Sequence, residues 1–310
     1  MGKAKKKRSQ APVALVYFTT LLVFMAVFGF VAYQLVKKLT ITHTEDESSE
    51  VYVDKSFSIM FSRVNRLGGL ADLAVVKFVP EENRVIVVPL PAQTVSSSTG
   101  SIFKDIYASG GPKTLKQAVE KTLDISIDYY TTVSDATFED VYDLIGGVIF
   151  TPQEELYRLS EKNDEDDISY RAGVAVTISG KQAITLLAAD VFSGGRAENL
   201  ELLGSVLTQL INNAFQQPSA TRNSLDNYFS KLFSESGTNY TSAKYRENKD
   251  SILEMLDRNL KPVLLKKPDG VWEDTTKFTV SSTFKNELLE IYGYKAVSTP
   301  VEQSAEEIIE

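Results

Sequence analysis

Between Leu73 and Leu90 the chain reads LAVVKFVPEENRVIVVPL. Two apolar runs, LAVVKF (Leu73–Phe78) and RVIVVPL (Arg84–Leu90), flank the polar turn PEEN (Pro80–Asn83), the pattern of a β-hairpin. Working outward, FSIMF (Phe57–Phe61) is a further short strand, and AQTVSSSTGS (Ala92–Ser101) is a polar loop without periodicity. Gly110 to Pro112 then introduce the helix TLKQAVEKTL, with Leu115, Ala118, Val119 and Leu123 on one face. ISIDYYTTV is a strand, and ATFEDVYDLI is a helix ending at Gly146 and Gly147, where glycine suits the left-handed cap. The strand VAVTIS, the helix KQAITLLAAD and a longer helix from about Ala197, striped by Leu200, Leu203, Leu207, Leu210 and Ile211, complete the alternation. Strands interleaved with helices predict an α/β layered fold with a central mixed β-sheet flanked by helices. Residues 224–310 add more helix, a strand at KFTVSST and an acidic tail, VEQSAEEIIE.

Composition removes whole classes of chemistry. The 310 residues contain no cysteine, which excludes disulfides, thiolate metal sites and a thiol nucleophile. The single histidine, His43, leaves no basis for a His-rich metal site or a Ser-His-Asp triad. Residues 1–38 hold seven basic residues and no acid, so residues 39–310 carry 26 basic against 41 acidic. A domain this acidic is not expected to bind nucleic acid, which needs clustered Lys and Arg.

Val13 to Val36 is a run of 24 residues without a charge, long enough as a helix (~36 Å) to cross a hydrocarbon core of ~30 Å. A buried core helix would show a polar face. A cleaved signal peptide would have a shorter apolar region and small residues after it, where this chain has Tyr33, Gln34, Lys37 and Lys38. Five basic residues precede the run and two follow it, which predicts a cytoplasmic N-terminus and an extracellular remainder. The expected organisation is a basic cytoplasmic segment (1–12), a transmembrane helix (13–36), a stalk (37–50), a main domain (51–248), a C-terminal extension packed on it (249–298) and a disordered acidic tail (299–310).

A string of short motifs follows in order. Ala71-Asp72 opens a hairpin strand, Tyr107 precedes Gly110-Gly111-Pro112, and Ile127-Asp128-Tyr129-Tyr130 leads to Leu144-Ile145-Gly146-Gly147-Val148. Ala172-Gly173, Gly180 with Gln182 and Ala183, Gly195-Arg196, and Thr238-Asn239-Tyr240-Thr241 complete it. Over residues 57–245 this resembles the LytR–CpsA–Psr family of envelope proteins. The resemblance implies a Gram-positive bacterial cell membrane, a polyprenyl-pyrophosphate carrier, and transfer of wall glycopolymers from it to peptidoglycan. It also implies several arginines on the pyrophosphate and a metal ion on two aspartates.

At those positions the chain departs from the family. Asp72 is present, but the other aspartate should lie about a dozen residues earlier, where Met60, Phe61, Ser62 and Arg63 stand. Pro-Arg-Asp-Thr appears as Pro91-Ala92-Gln93-Thr94, Arg-x-Arg as Ala188-Ala189-Asp190, and the later Arg-x-x-Arg-Gln keeps Arg196 but has Asn199 and Leu200. Ala92, Gln93, Ala188, Asp190 and Asn199 are therefore degenerate positions. The matched set holds one cation, Arg196, against two carboxylates, Asp72 and Asp190, a poor match for a doubly anionic pyrophosphate.

Candidate phosphate-binding residues are Arg196, Lys104 and Lys113. Asp72 is a candidate remnant metal ligand able to hold magnesium weakly. Beside these stand plainer readings: Asp72 as a hydrogen-bonding residue at a strand start, and Arg196 paired with Glu198 or Asp190. The acidic run Asp164-Glu165-Asp166-Asp167 lacks the glycine and terminal glutamate of an EF-hand loop and reads as solvated. Three functions stay open. The first is a catalytically eroded binder or scaffold for polyprenyl-linked wall precursors or envelope partners. The second is an active phosphotransferase whose relocated cations converge on Asp72. The third is a purely structural interaction domain with an exposed apolar patch and no apolar cleft.

Overall fold

A computed structural model of the chain describes residues 55–160, 166–233, 237–258 and 260–293. The expected cytoplasmic segment, transmembrane helix, stalk and tail, and Asp164 and Glu165 of the acidic run, lie outside the described residues. Among the described residues no helix is long and apolar enough to cross a membrane.

The hairpin at Leu73–Leu90 lies inside the main sheet. Strands β1 (Phe57–Val64), β2 (Leu70–Val79) and β3 (Arg84–Leu90) form an antiparallel meander, with Pro80–Glu82 as a 3-10 turn and Asn83 in the left-handed region at its end. Helix α1 (Phe103–Leu123) leads to β4 (Tyr129–Ser134) and helix α2 (Asp135–Ile145). The short strands β5 (Val148–Phe150), β6 (Leu156–Arg158), β7 (Ile168–Tyr170) and β8 (Val176–Ile178) form two small ladders, β5 with β8 and β6 with β7. Four helices follow: α3 (Gly180–Ala188), α4 (Arg196–Gln216), α5 (Pro218–Phe233) and α6 (Ser242–Leu256). The chain ends its described part with β9 (Val263–Leu265), the hairpin β10 (Gly270–Glu273) and β11 (Lys277–Val280), and helix α7 (Ser282–Ile291).

The main sheet runs in the order β4–β1–β2–β3–β9, with β4 parallel to β1 and β9 parallel to β3, so it is mixed. Its strands are apolar nearly throughout because both faces are covered. Met60, Leu73, Val75, Ile86 and Val88 face Leu115, Val119 and Leu123 of α1 and Phe284 and Leu288 of α7. Ala74, Val85, Val87 and Val133 face α2, α3 and α4 through Phe138, Tyr142, Leu186, Leu203 and Val206. The α/β layers expected from the alternation are present.

Two local differences from the sequence reading have clear causes. Helix α1 begins at Phe103, not after Pro112, because Gly111 at φ 68° and ψ −170° breaks it internally. Glycine adopts that conformation without a Cβ clash, and Pro112 then sits at the start of the second half, where its missing N–H has no helical partner to lose. Helix α4 begins at Arg196 directly behind Gly195 at φ 61°.

Most of the family-like motifs prove to be joints of this fold. Asp128 accepts bonds from the Ser58 backbone N–H and hydroxyl, both at 2.8 Å. Asn239 accepts the Tyr130 N–H at 2.7 Å, and Thr238 donates to the Tyr130 carbonyl, tying down the edge strand β4. Gln182 and Ser179 form a reciprocal capping box at the start of α3.

Candidate functional site

Alternate residues of a strand share a face, so β1 presents Phe57, Ile59, Phe61 and Arg63 together, and β2 presents Phe78, Val76, Ala74 and Asp72. The register places these two rows opposite one another, pair by pair: Phe57↔Phe78, Ile59↔Val76, Phe61↔Ala74 and Arg63↔Asp72. The two rows form one floor, apolar along most of its length and charged at the end.

Over the apolar part, helices α2, α4, α5 and α6 roof a cavity of about 240 Å³. Phe57, Ile59, Phe61 and Phe78 line its floor, and Phe138, Leu210 and Phe229 are among its walls. Three hydroxyl groups along it are spent on the protein. Thr131 donates to the Leu232 carbonyl at 2.8 Å, Thr221 to Ala214 at 2.6 Å, and Tyr142 to Ile178 at 3.0 Å. Burial pushes the Tyr240 phenol up to about 12 and raises those of Tyr142 and Tyr245 as well. The lining is almost wholly hydrocarbon. An apolar cavity of about 150 Å³ lined by Leu, Ile and Phe stays dry and takes up benzene, so a larger one suits an extended hydrocarbon.

At the charged end Arg63 is only 1% exposed. Its Nε donates to Asp72 Oδ2 at 2.7 Å, and its Nη1 donates to Asp135 at the first turn of α2. Nη2 lies 2.6 Å from the same Asp72 oxygen without hydrogen-bond alignment to any acceptor among the described residues. The guanidinium also sits 5.8 Å from the ring centre of Phe138, which walls the apolar cavity. Burial works against the Arg63 charge, but Asp72 and Asp135 outweigh it and hold its pKa above the ordinary value. Burial pushes the Asp72 carboxyl up, and Arg63 pulls it partly back.

Asp72 also opens onto a polar cleft of about 50 Å³, lined with Ala92, Gln93, Arg196 and Asn199. The fold thus gathers five of the sequence-identified positions. Arg196 has no carboxylate within ion-pair distance among the described residues, so the pairing with Glu198 or Asp190 weighed above is absent. Asn199, by contrast, is committed. Its Nδ2 donates to the carbonyls of Leu186, Leu187 and Ala189 at 3.0 to 3.3 Å, satisfying the end of α3, while Oδ1 has no partner among the described residues.

The other candidates are elsewhere. Lys104 lies beside the cleft through its backbone, whose N–H donates to the Ala92 carbonyl at 2.8 Å, but its side chain is exposed and does not line it. Lys113 is exposed on α1 beyond the Gly111 break. Ala188 and Asp135 line a different, polar cavity of about 270 Å³ together with Arg66, Arg158 and Lys181, and Asp190 is exposed after α3. The fold thus alters the balance of one cation against two carboxylates expected from the matched positions. Around Asp72 the charges are Arg63 and Arg196 against Asp72 and Asp135, balanced and not an excess of cations.

The same geometry decides how Asp72 suits a metal ion. Magnesium and its relatives need hard oxygen donors free to turn toward them. Here the guanidinium already lies between the two carboxylates, and no group of three or more metal-ligating side chains occurs among the described residues. The residues present do not fit a divalent ion. In the sequence Arg63 is only one of four residues, Met60 to Arg63, in the stretch where the other aspartate is expected. Its period-two spacing from Phe57, Ile59 and Phe61, opposite Asp72 across a short connection, is the signal that identifies it.

A sequence model of the LytR_cpsA_psr family matches residues 74–291. The polyisoprenyl-teichoic acid–peptidoglycan teichoic acid transferase TagU of Bacillus subtilis is 28% identical over 155 residues, covering 47% of this chain and 48% of that protein. The matched segments span 27% to 63% of the length of the curated relatives. The crystal structure of B. subtilis TagV superposes with a TM-score of 0.59 at 19% identity, over 78% of this chain and 99% of that one. TagT bound to LIIa-WTA gives a TM-score of 0.58 at 17% identity, over 80% and 95%. At such identities these structures speak for the fold, and the α/β layers described above are the fold they share. With the family match covering most of the described domain, the chain belongs to the LytR_cpsA_psr family.

Proposed function

We propose that this protein is a membrane-anchored extracellular component of a Gram-positive bacterial envelope that holds the isoprenyl chain of a wall-precursor carrier, as a binder and not a metal-driven transferase. One observation carries the reading: a cavity of about 240 Å³, walled by carbon, that ends beside the Arg63–Asp72 pair at the charged end of its floor. Each CH₂ of a ligand moved from water into such a site contributes about 0.8 kcal/mol. The cleft next to it offers one uncommitted cation, Arg196, and transfer of a pyrophosphate-linked group needs far more charge stabilisation than that. The anchor rests on the uncharged run Val13–Val36, and an envelope setting rests on the family.

A transferase reading has its own support in the names of the relatives and in Arg196 sharing a cleft with Asp72. The cavity counts against a purely structural domain, which has no use for it. Peptidoglycan and other envelope proteins are partners this reading leaves open.

The test is thermal unfolding of the full chain with a short-chain polyprenyl pyrophosphate, with and without magnesium. Saturating ligand at about 100 times its Kd stabilises by about 2.7 kcal/mol. The expected result is the same rise in Tm under both conditions, abolished by Val141→Phe, which fills the cavity from α2. No rise in the wild type overturns the proposal. Magnesium-dependent cleavage of the pyrophosphate by the wild-type chain replaces it with the transferase reading.

A further inference from the structure

The Asp72–Arg63–Asp135 arrangement has a property beyond stability. Two carboxylates from different elements, the start of β2 and the first turn of α2, converge on one buried guanidinium. Carboxylates brought this close without a cation between them repel, and one buried, uncompensated charge is already strongly unfavourable. A cation is therefore a structural requirement of the site, and this chain supplies it covalently. The guanidinium cannot leave by deprotonation, since it keeps its proton throughout the accessible pH range. It cannot swing aside without stranding Asp72.

We propose that Arg63 is a tethered cation occupying the place of a divalent ion: it closes the site to metals in the wild-type chain and conceals a latent metal site formed by Asp72 and Asp135. The charge arithmetic favours the exchange once the side chain is gone. One guanidinium between two carboxylates leaves a net charge of −1, whereas a divalent ion there leaves none. Manganese and magnesium need only one or two carboxylates when water completes the shell. A phosphate-bearing ligand in the neighbouring cleft is then met by Arg196 without a bridging metal. That consequence rests on the function proposed above, while the metal site itself does not.

The experiment is a Mn²⁺ titration of the full chain followed by electron paramagnetic resonance, with thermal unfolding alongside. The wild type is expected to give a binding curve that Asp72→Asn leaves unchanged, because any Mn²⁺ taken up by surface acids elsewhere is common to both. Arg63→Ala is expected to gain a site at least tenfold tighter, to rise in Tm with Mn²⁺, and to lose both effects when Asp72→Asn is added. Should Arg63→Ala be unfolded in the absence of metal, millimolar Mn²⁺ is expected to restore its fold. Wild-type Mn²⁺ binding that Asp72→Asn removes overturns the proposal. So does an Arg63→Ala chain that neither binds Mn²⁺ nor refolds with it. Polyprenyl pyrophosphate binding is read separately, so its failure leaves the metal result standing.

Discussion

Two ends of one floor, made by the same pair of strands, differ in what they require of the sequence. At the Phe57–Phe78 end the floor is apolar, and the cavity above it depends only on shape, which many combinations of Leu, Ile, Phe and Tyr supply. At the Arg63–Asp72 end a particular charge must meet a particular partner at 2.6 to 2.7 Å. Substitution is expected to be tolerated at the first and to be costly at the second. A chain can thus keep a hydrocarbon site intact while the charged positions beside it are rewritten into a closed ion pair.

The largest effect is expected from removing the guanidinium without inviting a metal. Arg63→Met, in chelator, is expected to destabilise the folded chain by about 3–5 kcal/mol at neutral pH, because it leaves Asp72 buried and unpaired. The pH dependence has a definite sign. The folded Asp72 carboxyl lies above its ordinary 3.8, so its contribution is fullest below that value and is lost as pH rises through the folded pKa. Without Arg63 to pull the carboxyl back down, that loss extends to higher pH. The deficit against wild type is therefore smallest near pH 4 and largest at pH 7, which urea unfolding at the two values measures. A deficit under about 1 kcal/mol at pH 7 means that the pair is not the closed unit described here.

How much of this could be read from the chain alone follows the same division. The hairpin Leu73–Leu90, strand β1 and the helices α2, α3 and α4 were legible because they are spelled in apolar period and cap residues, local signals that tertiary packing reinforces. The first half of α1 was not, since Gly110-Gly111-Pro112 reads equally as the start of a helix and as a break within one. Asp72, Ala92, Gln93, Arg196 and Asn199 were each identified, and the fold gathers them. Arg63 was passed over because its meaning lies in a cross-strand partner and a helix turn about seventy residues away. Lys104 and Lys113, point charges where the family has arginine forks, stay candidates for the phosphate only while the direction of α1 is unknown.

A smaller effect is expected inside the cleft. Asn199 lines it, yet its amide holds three carbonyls at the end of α3. Truncation to alanine strands those acceptors, at a cost of about 1–3 kcal/mol in urea unfolding. Affinity for a polyprenyl pyrophosphate is expected to stay within a factor of two. A large loss of affinity at unchanged stability assigns Asn199 to the ligand instead.

The smallest stability change, and the most informative one about function, belongs to Arg196. It opens the 21-residue helix α4, where the positive end of the helix dipole disfavours a cation by some tenths of a kcal/mol. Glu198 shares that first turn, but no carboxylate among the described residues lies within ion-pair distance of the guanidinium. A residue held against its local electrostatics, half-buried at the rim of a polar cleft, contributes little to folding, so Arg196→Ala is expected to change stability by less than about 0.5 kcal/mol. Its effect should instead depend on the ligand. Binding of polyprenyl pyrophosphate is expected to weaken about tenfold, in line with loss of one charge-assisted contact of about 1.5 kcal/mol, while binding of the uncharged polyprenol is unchanged. Equal losses for both lipids mean that Arg196 shapes the cavity and not the headgroup. No loss for either confines recognition to the apolar cavity, and the charged end of the floor then serves the fold alone.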